Sequence, residues 1–350
     1  MEELIFTSDI NNTIDVVCDG VAYDRAFVLC DENTRSCVVP LLTSQHICKA
    51  TIITMASGDE AKNLTSLSHV WQMLSDGGAS RHSLLINIGG GVVTDLGGLA
   101  AATFKRGMSY INIPTTLLGA VDAAVGGKTG INFAGLKNEI GVFNTPLAVI
   151  ISTLFYATLP REELLSGYAE MIKHALIDGT RHYTELLDCD VTICDADRLL
   201  SLLQRSVAVK QRIVKQDPHE KGVRKMLNLG HSIAHAFESH ALAKGEPIRH
   251  GYAVAWGLVC ELLIAHRKLN FPSSHIYDLA RYVEQCYGAY AITCEDYDGI
   301  YELLLHDKKN RGGVLNFTLM RDMGVCEINC QVDKSEIEVA LDFYRDLFHL

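Results

Sequence analysis

Over the first 155 residues, five apolar, β-branched runs alternate with helical patterns, and few folds accommodate that alternation. The runs cover residues 25–29, 50–55, 84–88, 110–113 and 148–151. Each is almost continuously apolar, as a strand covered on both faces must be. Between them, residues 64–75 and 93–104 carry helical spacing. Strands alternating with helices predict a parallel sheet in a doubly wound α/β domain over residues 1–155. The texture then changes. Residues 161–177, 196–215, 228–243, 251–269, 275–286 and 296–305 all show helical spacing. One hairpin is predicted from 313–320 and 324–328. A mostly α-helical domain over residues 156–350 is therefore expected, with no flexible linker before it. The cleft between two such domains is the default binding site.

Glycine is concentrated in one place. Twelve of the 28 glycines lie between Gly89 and Gly141, where even spacing would put about four, and Lys105, Arg106, Lys128 and Lys137 share that window. Glycine lets backbone N–H groups approach a ligand closely, and cationic side chains add charge for an anion. Gly89-Gly90-Gly91-Val-Val-Thr-Asp95 follows a predicted strand and opens a predicted helix. It is not the usual Gly-x-Gly-x-x-Gly fingerprint, but a helix N-terminus behind a close backbone suits a pyrophosphate. Asp31 ends the first strong strand, where a carboxylate can accept from ribose hydroxyls; an exposed turn residue is the plainer reading. Thr115 and Thr116 follow Pro114 and either reach a phosphate or an amide, or satisfy a turn. Gly126-Gly127-Lys128-Thr129 has the end of a Walker loop without its upstream glycine, so an ATPase reading fails.

The helical half carries a second kind of chemistry. Glu170 lies in Gly167-Tyr-Ala-Glu170-Met-Ile-Lys173-His174. His231 and His235, four apart, share one helix face, and His250 opens another helix. One glutamate and two histidines can hold a zinc-type divalent cation and leave a position open for substrate. Spacing alone does not choose the two histidines, and His pairs four apart also occur as plain core or surface residues. Absence of His-Glu-x-x-His disfavours a zinc protease.

Many separate blocks, in order, resemble the 3-dehydroquinate synthases, a family of sugar-phosphate cyclases in the shikimate pathway. They begin with Gly58-Asp59-x-x-Lys62, Gly89-Gly-Gly-Val-Val-Thr-Asp95, Arg106-Gly107 and Pro114-Thr-Thr-Leu-Leu. Val121-Asp122-x-x-x-Gly-Gly-Lys128-Thr, Lys137-Asn138, Thr158-Leu-Pro and Gly167-x-Ala-Glu170-x-Ile-Lys173 follow. Last come Glu220-Lys-Gly-Val-Arg224, Leu227-Asn228-Leu-Gly-His231-Ser-Ile-x-His235, His250-Gly251 and Asp307-Lys308-Lys309.

The resemblance implies NAD+ and one divalent metal, zinc or alternatively cobalt, with Glu170, His231 and His250 as metal ligands. It implies cofactor contacts from Asp31, Asp59, Lys62, Gly90, Gly91, Asp95, Thr115, Thr116, Lys137 and Thr158. The implied reaction takes 3-deoxy-D-arabino-heptulosonate 7-phosphate to 3-dehydroquinate and phosphate. Its stages are transient oxidation, phosphate elimination, reduction and an aldol closure, with no net redox change. Lys173 and Asn228 would orient the reacting oxygens; Lys128, Asn138, Arg106 and His235 would grip phosphate. Lys210, Arg224 and Lys308 or Lys309 would hold the carboxylate end. Asp122 and Glu220 would relay protons or orient lysines. A homodimer is implied too, with Arg106 reaching across from a neighbouring subunit. Asp59 departs from the family by standing where a glutamate is usual, one methylene shorter.

Composition narrows the class further. A formal charge of −11 argues against nucleic acid or an anionic membrane as partner, while a clustered basic site still admits a small anionic sugar phosphate. Eleven scattered cysteines with no Cys-x-x-Cys pair fit free thiols in a reducing compartment. An acidic Met1-Glu-Glu-Leu-Ile start, unlike a signal peptide, adds to a cytoplasmic expectation. The alternatives are another sugar-phosphate cyclase, such as a 2-deoxy-scyllo-inosose synthase, and a metal-dependent polyol dehydrogenase of the same fold. Retention of Arg224, Asn228 and the Asp307-Lys308-Lys309 block favours a carboxylate substrate, and intact metal-ligand positions disfavour an inactive paralogue.

Overall fold

The computed structural model of the chain describes residues 2–134, 136–305 and 315–350. The chain divides into two compact units, Met1–Gly167 with Cys194–Val207 and Tyr168–Ile193 with Ala208–Leu350. The division thus falls at 167/168, where the change in sequence texture suggested 155/156.

The first unit is built on β1 (Glu3–Phe6), α1 (Ile10–Asp19), β2 (Ala26–Asp31), α2 (Glu32–Cys37), α3 (Gln45–Cys48), β3 (Thr51–Met55), α4 (Leu64–Asp76) and β4 (Leu84–Gly89). It continues through α5 (Gly91–Thr103), β5 (Ser109–Pro114), β6 (Lys128–Phe133), β7 (Leu136–Phe143) and β8 (Ala148–Ile151). Six strands form one parallel sheet in the order β1-β8-β5-β4-β2-β3. All five predicted strands are present. The sheet gains β1 at its edge, whose four residues Glu-Leu-Ile-Phe are too short a run to predict. Each residue of β4 is buried, so the sheet is covered on both faces there. Phe27, Leu29, Ile53, Leu67, Val70, Leu85 and Leu96 form the core between sheet and helices. Each such side chain contributes about 1.5–3 kcal/mol on burial.

The strand order reverses at β2. The chain leaves it for β3 on one side and returns through β4 on the other, so β2 and β4 flank a topological switch point, where ligands of open α/β sheets bind. Leu29 pairs with Asn87, and two residues further along their strands stand Asp31 and Gly89. Helix α5 starts at this level. Apart from Thr94, Asp95 and the terminal Thr103 it is built of apolar residues and glycine, as suits a helix packed by sheet and hairpin, and Gly97 lets it lie close against the sheet. A Cβ at Gly97 would stand 2.1 Å from Asn87 Oδ1. Strands β6 and β7 pair as an antiparallel hairpin apart from the main sheet, a feature the glycine-rich sequence does not announce.

Helices α6 (Arg161–Asp178), α7 (Thr180–Leu187), α8 (Ala196–Gln216), α9 (His231–Ala243), α10 (His250–Leu269), α11 (Ser273–Tyr287) and α12 (Tyr297–Leu305) follow. The chain ends with β9 (Leu315–Asp322), β10 (Val325–Val332) and α13 (Lys334–Leu347). The division between units falls inside α6 and inside α8. In the second unit α10 is the central post, with 14 buried residues, packed by α9, α11, α13 and β9. Residues 228–230 do not join α9 as their spacing predicts. Asn228 ends a 3-10 turn, and Gly230 turns left-handed at φ 81° before His231 starts the helix. Strands β9 and β10 form the predicted hairpin, whose residues 313 and 314 lie outside the described residues. No helix among the described residues is long and apolar enough to cross a membrane.

Candidate active site

The second unit gathers Glu170, Lys173, His231, His235 and His250. Helices α9 and α10 approach so closely that a Cβ at Gly257 would stand 2.1 Å from the Gly230 carbonyl oxygen. His231 is the first residue of α9 and His250 the first of α10, so this approach brings both imidazoles beside Glu170 of α6. Glu170 Oε1 lies 3.2 Å from His231 Nε2 and 3.5 Å from His250 Nε2. Its second oxygen contacts Lys173 Nζ, one turn along the same helix. The His235 ring stands 5.6 Å from that of His231 and stacks on that of His250 at 6.2 Å.

Electrostatics set the three ligand candidates apart. Burial alone would raise the Glu170 carboxyl, but the Lys173 ammonium, with the imidazoles of His231 and His250 beside it, outweighs burial and holds it well below the usual carboxylate range. Burial, reinforced by Lys173, depresses His231 to about 4. Burial also opposes charge on His250, yet Glu238 and Glu170 overcome it and lift that imidazole to about 10. Glu170 is wholly buried, and neither oxygen completes a hydrogen bond of regular geometry. One carboxylate and two imidazoles, with ligand atoms all within 4.8 Å of one another, fit a divalent cation of the zinc type.

Around this cluster the remaining predicted residues of the unit are held in place. Glu220, at φ 56°, accepts a 2.7 Å hydrogen bond from the Asn228 amide. The Arg224 guanidinium is buried and donates to the Pro218 carbonyl at 2.5 Å. Lys210 is buried on α8. Lys308 and Lys309 lie outside the described residues.

Two carboxylates that the sequence reading passed over support the histidines. Glu238 Oε2 lies 3.3 Å from His250 Nδ1. Glu261, wholly buried on α10, accepts from the backbone N–H groups of Gly230, Ser232 and Ile233 at 2.7, 2.9 and 3.2 Å. Charged residues inside otherwise apolar helical stretches were the available signal.

In the first unit a separate set surrounds the switch point. Gly90 precedes α5, whose N-terminus has no side-chain cap, and its Cα faces Thr116 closely enough that a Cβ would stand 3.1 Å from Thr116 Cγ2. Gly91 approaches Ala123 as closely, beside Asp122. Thr115 is buried and its N–H donates to the Gly89 carbonyl. Lys62 is buried and donates to Asp95 Oδ2 at 2.6 Å and Asn138 Oδ1 at 2.5 Å. Lys137 Nζ lies 3.6 Å from Asp59 Oδ2. Asp31 caps α2, accepting from Thr34 N–H at 2.7 Å, which is the turn role its position also allowed. Thr158 donates to the Phe155 carbonyl. Lys128 is exposed at the start of β6, and Arg106 is exposed at φ 67°.

The sequence matches two family models, 3-dehydroquinate synthase N-terminal over residues 52–166 and 3-dehydroquinate synthase C-terminal over residues 167–310. It is 48% identical over 348 residues to a curated 3-dehydroquinate synthase of Parabacteroides distasonis, covering 99% of each chain. The fold matches a 2-deoxy-scyllo-inosose synthase solved with carbaglucose-6-phosphate, NAD+ and Co2+ at a TM-score of 0.85 and 22% identity, over 97% of this chain and 95% of that one. A 2-epi-5-epi-valiolone synthase from Streptomyces hygroscopicus with NAD+ and Zn2+ bound matches at a TM-score of 0.84 and 25% identity, over 99% and 97%.

Proposed function

The chain belongs to the 3-dehydroquinate synthase family, and on that premise we propose that it converts 3-deoxy-D-arabino-heptulosonate 7-phosphate to 3-dehydroquinate and phosphate. The observation that carries the chemistry is the convergence of His231 Nε2 and His250 Nε2 on one oxygen of buried Glu170. Those three residues would hold the divalent cation. Bound there, the cation supplies Lewis acidity toward the substrate's vicinal oxygens, and NAD+ supplies a hydride acceptor that returns what it takes.

The chain's own groups do the rest. Lys173, buried beside Glu170, would donate a hydrogen bond to a substrate oxygen there. Asn228, whose amide is fixed by Glu220, orients a neighbouring hydroxyl. His235, packed against both ligand imidazoles, would serve the departing phosphate. Buried Arg224 and Lys210 receive the carboxylate end, where guanidinium geometry suits a planar anion. In the first unit the Gly89-Gly90-Gly91 turn receives the NAD+ pyrophosphate on the α5 N-terminus. The Lys62–Asp95–Asn138 cluster, with Thr115 and Thr116, borders the same ligand. Lys128 and Arg106 add positive charge for the phosphate.

The test is turnover with catalytic NAD+ and zinc or cobalt, following phosphate and dehydroquinate together. Matched release of both, no accumulation of NADH, and inhibition by a chelator are expected. Folded, metal-loaded protein that releases no phosphate would overturn the assignment, and turnover of sedoheptulose 7-phosphate or glucose 6-phosphate instead would identify a sister cyclase.

A further inference from the structure

We infer that Glu238 is a positioning residue that fixes the His250 imidazole for cation binding, an assignment that rests on the metal reading above. A neutral imidazole has one N–H and one lone pair, and the partner of the first decides where the second points. His250 Nδ1 lies 3.3 Å from Glu238 Oε2, while its Nε2 lies 3.5 Å from Glu170 Oε1. An ionised carboxylate only accepts, so Nδ1 donates to Glu238 and Nε2 is the nitrogen held toward Glu170, where a bound cation would take the place of any Nε2 hydrogen and receive the lone pair.

His231 is arranged the same way by a different acceptor. Its Nδ1 lies 3.1 Å from the Leu229 carbonyl oxygen, and its Nε2 faces the same Glu170 oxygen at 3.2 Å. Both imidazoles therefore present the same nitrogen to one point. The two supports are not equivalent. Leu229 is part of the backbone turn that carries His231 and cannot rotate away. Glu238 is a side chain from α9, seven residues beyond His231, and is only 7% exposed. It therefore ties the first turn of α10 to the body of α9. It also brings a second carboxylate, whereas Glu170 and Lys173 already face each other as a pair. Such outer carboxylates orient metal-ligating histidines and raise their basicity.

Apo-protein, prepared by dialysis against a chelator, is titrated with Co2+ and followed by visible absorption, with wild type beside Glu238→Ala and Glu238→Gln. Glu238→Ala is expected to weaken Co2+ binding by about 10- to 100-fold and to change the cobalt bands, with NAD+ affinity unchanged. Glu238→Gln keeps an acceptor oxygen and is expected to weaken binding less, by about 3- to 10-fold. Wild-type Co2+ affinity and bands in folded Glu238→Ala would overturn the inference. So would a parallel loss of NAD+ affinity, which marks general damage. If Glu238→Ala does not fold, Glu238→Gln decides alone, and an unchanged Kd with unchanged bands overturns it. Wild-type protein that takes up no Co2+ overturns the metal reading, and the Glu238 assignment falls with it.

Discussion

The Glu261 carboxylate accepts a 2.7 Å hydrogen bond from the backbone N–H of Gly230, the residue just before the His231 imidazole. Two further N–H groups of the same turn donate to it, so one buried side chain satisfies donors that helix α9 would otherwise leave orphaned. Glu261→Gln replaces an accepting oxygen with an amide that donates toward a donor. A buried donor left unmatched costs about 1–3 kcal/mol, which corresponds to a fall in Tm of several degrees. Calorimetry of the chelated protein reads it. An unchanged Tm would remove the clamp from the description of the His231 turn.

Gly97 tests the other unit. Alanine there brings a Cβ to 2.1 Å from Asn87 Oδ1 on a strand buried along its whole length. Overpacking of this kind costs about 1–3 kcal/mol. The expected signature of Gly97→Ala is a lower urea midpoint with an unchanged slope; a midpoint equal to wild type would show that α5 can shift away from the sheet without loss.

These two cases mark how far the chain's local pattern reaches. Runs such as 84–88 and 148–151 are legible because a strand buried on both faces must be apolar throughout. Glu170, His231 and His250 stand out because their residue types and neighbours are chemically specific. Strand β1 is too short to show a period, and the β6–β7 hairpin lies under a glycine-rich composition that reads first as loop. Glu238 and Glu261 show in the sequence only as charges inside apolar helical stretches: each acts on a group of a different helix, and only tertiary packing reveals which.

Asp296 gives a pH dependence with a definite sign. Burial works against its charge, but hydrogen bonds from Lys244 and Thr293 outweigh that and bring its carboxyl from 3.8 to about 2. A depressed folded value means stability present above about pH 4 and lost as pH falls through 2. Near the surface, solvent screening reduces the contribution to about 1 kcal/mol. Asp296→Asn should therefore be less stable than wild type by about that amount at pH 7, with the gap closing toward pH 3. Urea unfolding at both pH values measures it, and a gap that widens in acid would reverse the assignment.

Lys62 donates to two acceptors in the first unit, Asp95 and Asn138. Lys62→Met keeps much of the stem but leaves Asp95 without that ammonium, next to the turn proposed to receive pyrophosphate. NAD+ affinity should fall about tenfold, or 1.4 kcal/mol, and the loss should shrink in high salt. Calorimetric titration with NAD+ decides it; wild-type affinity would remove Lys62 and Asp95 from the proposed cofactor contacts.

Lys173→Met separates the metal reading from a plain buried ion pair. Glu170 is fully enclosed, and losing its ammonium partner strands a buried carboxylate at a cost of about 3–5 kcal/mol. A divalent cation held by Glu170, His231 and His250 would supply positive charge at the same oxygens. Because it binds the folded state, it would also offset part of that cost by mass action. In chelator, then, the variant should melt about 6–20 °C below wild type, from roughly 2–4 °C per kcal/mol for a folding unit of about 150–250 residues. With saturating zinc the deficit should fall by about half or more. Equal deficits with and without zinc would mean that no cation reaches Glu170, and the convergence of the two imidazoles would then be structural alone.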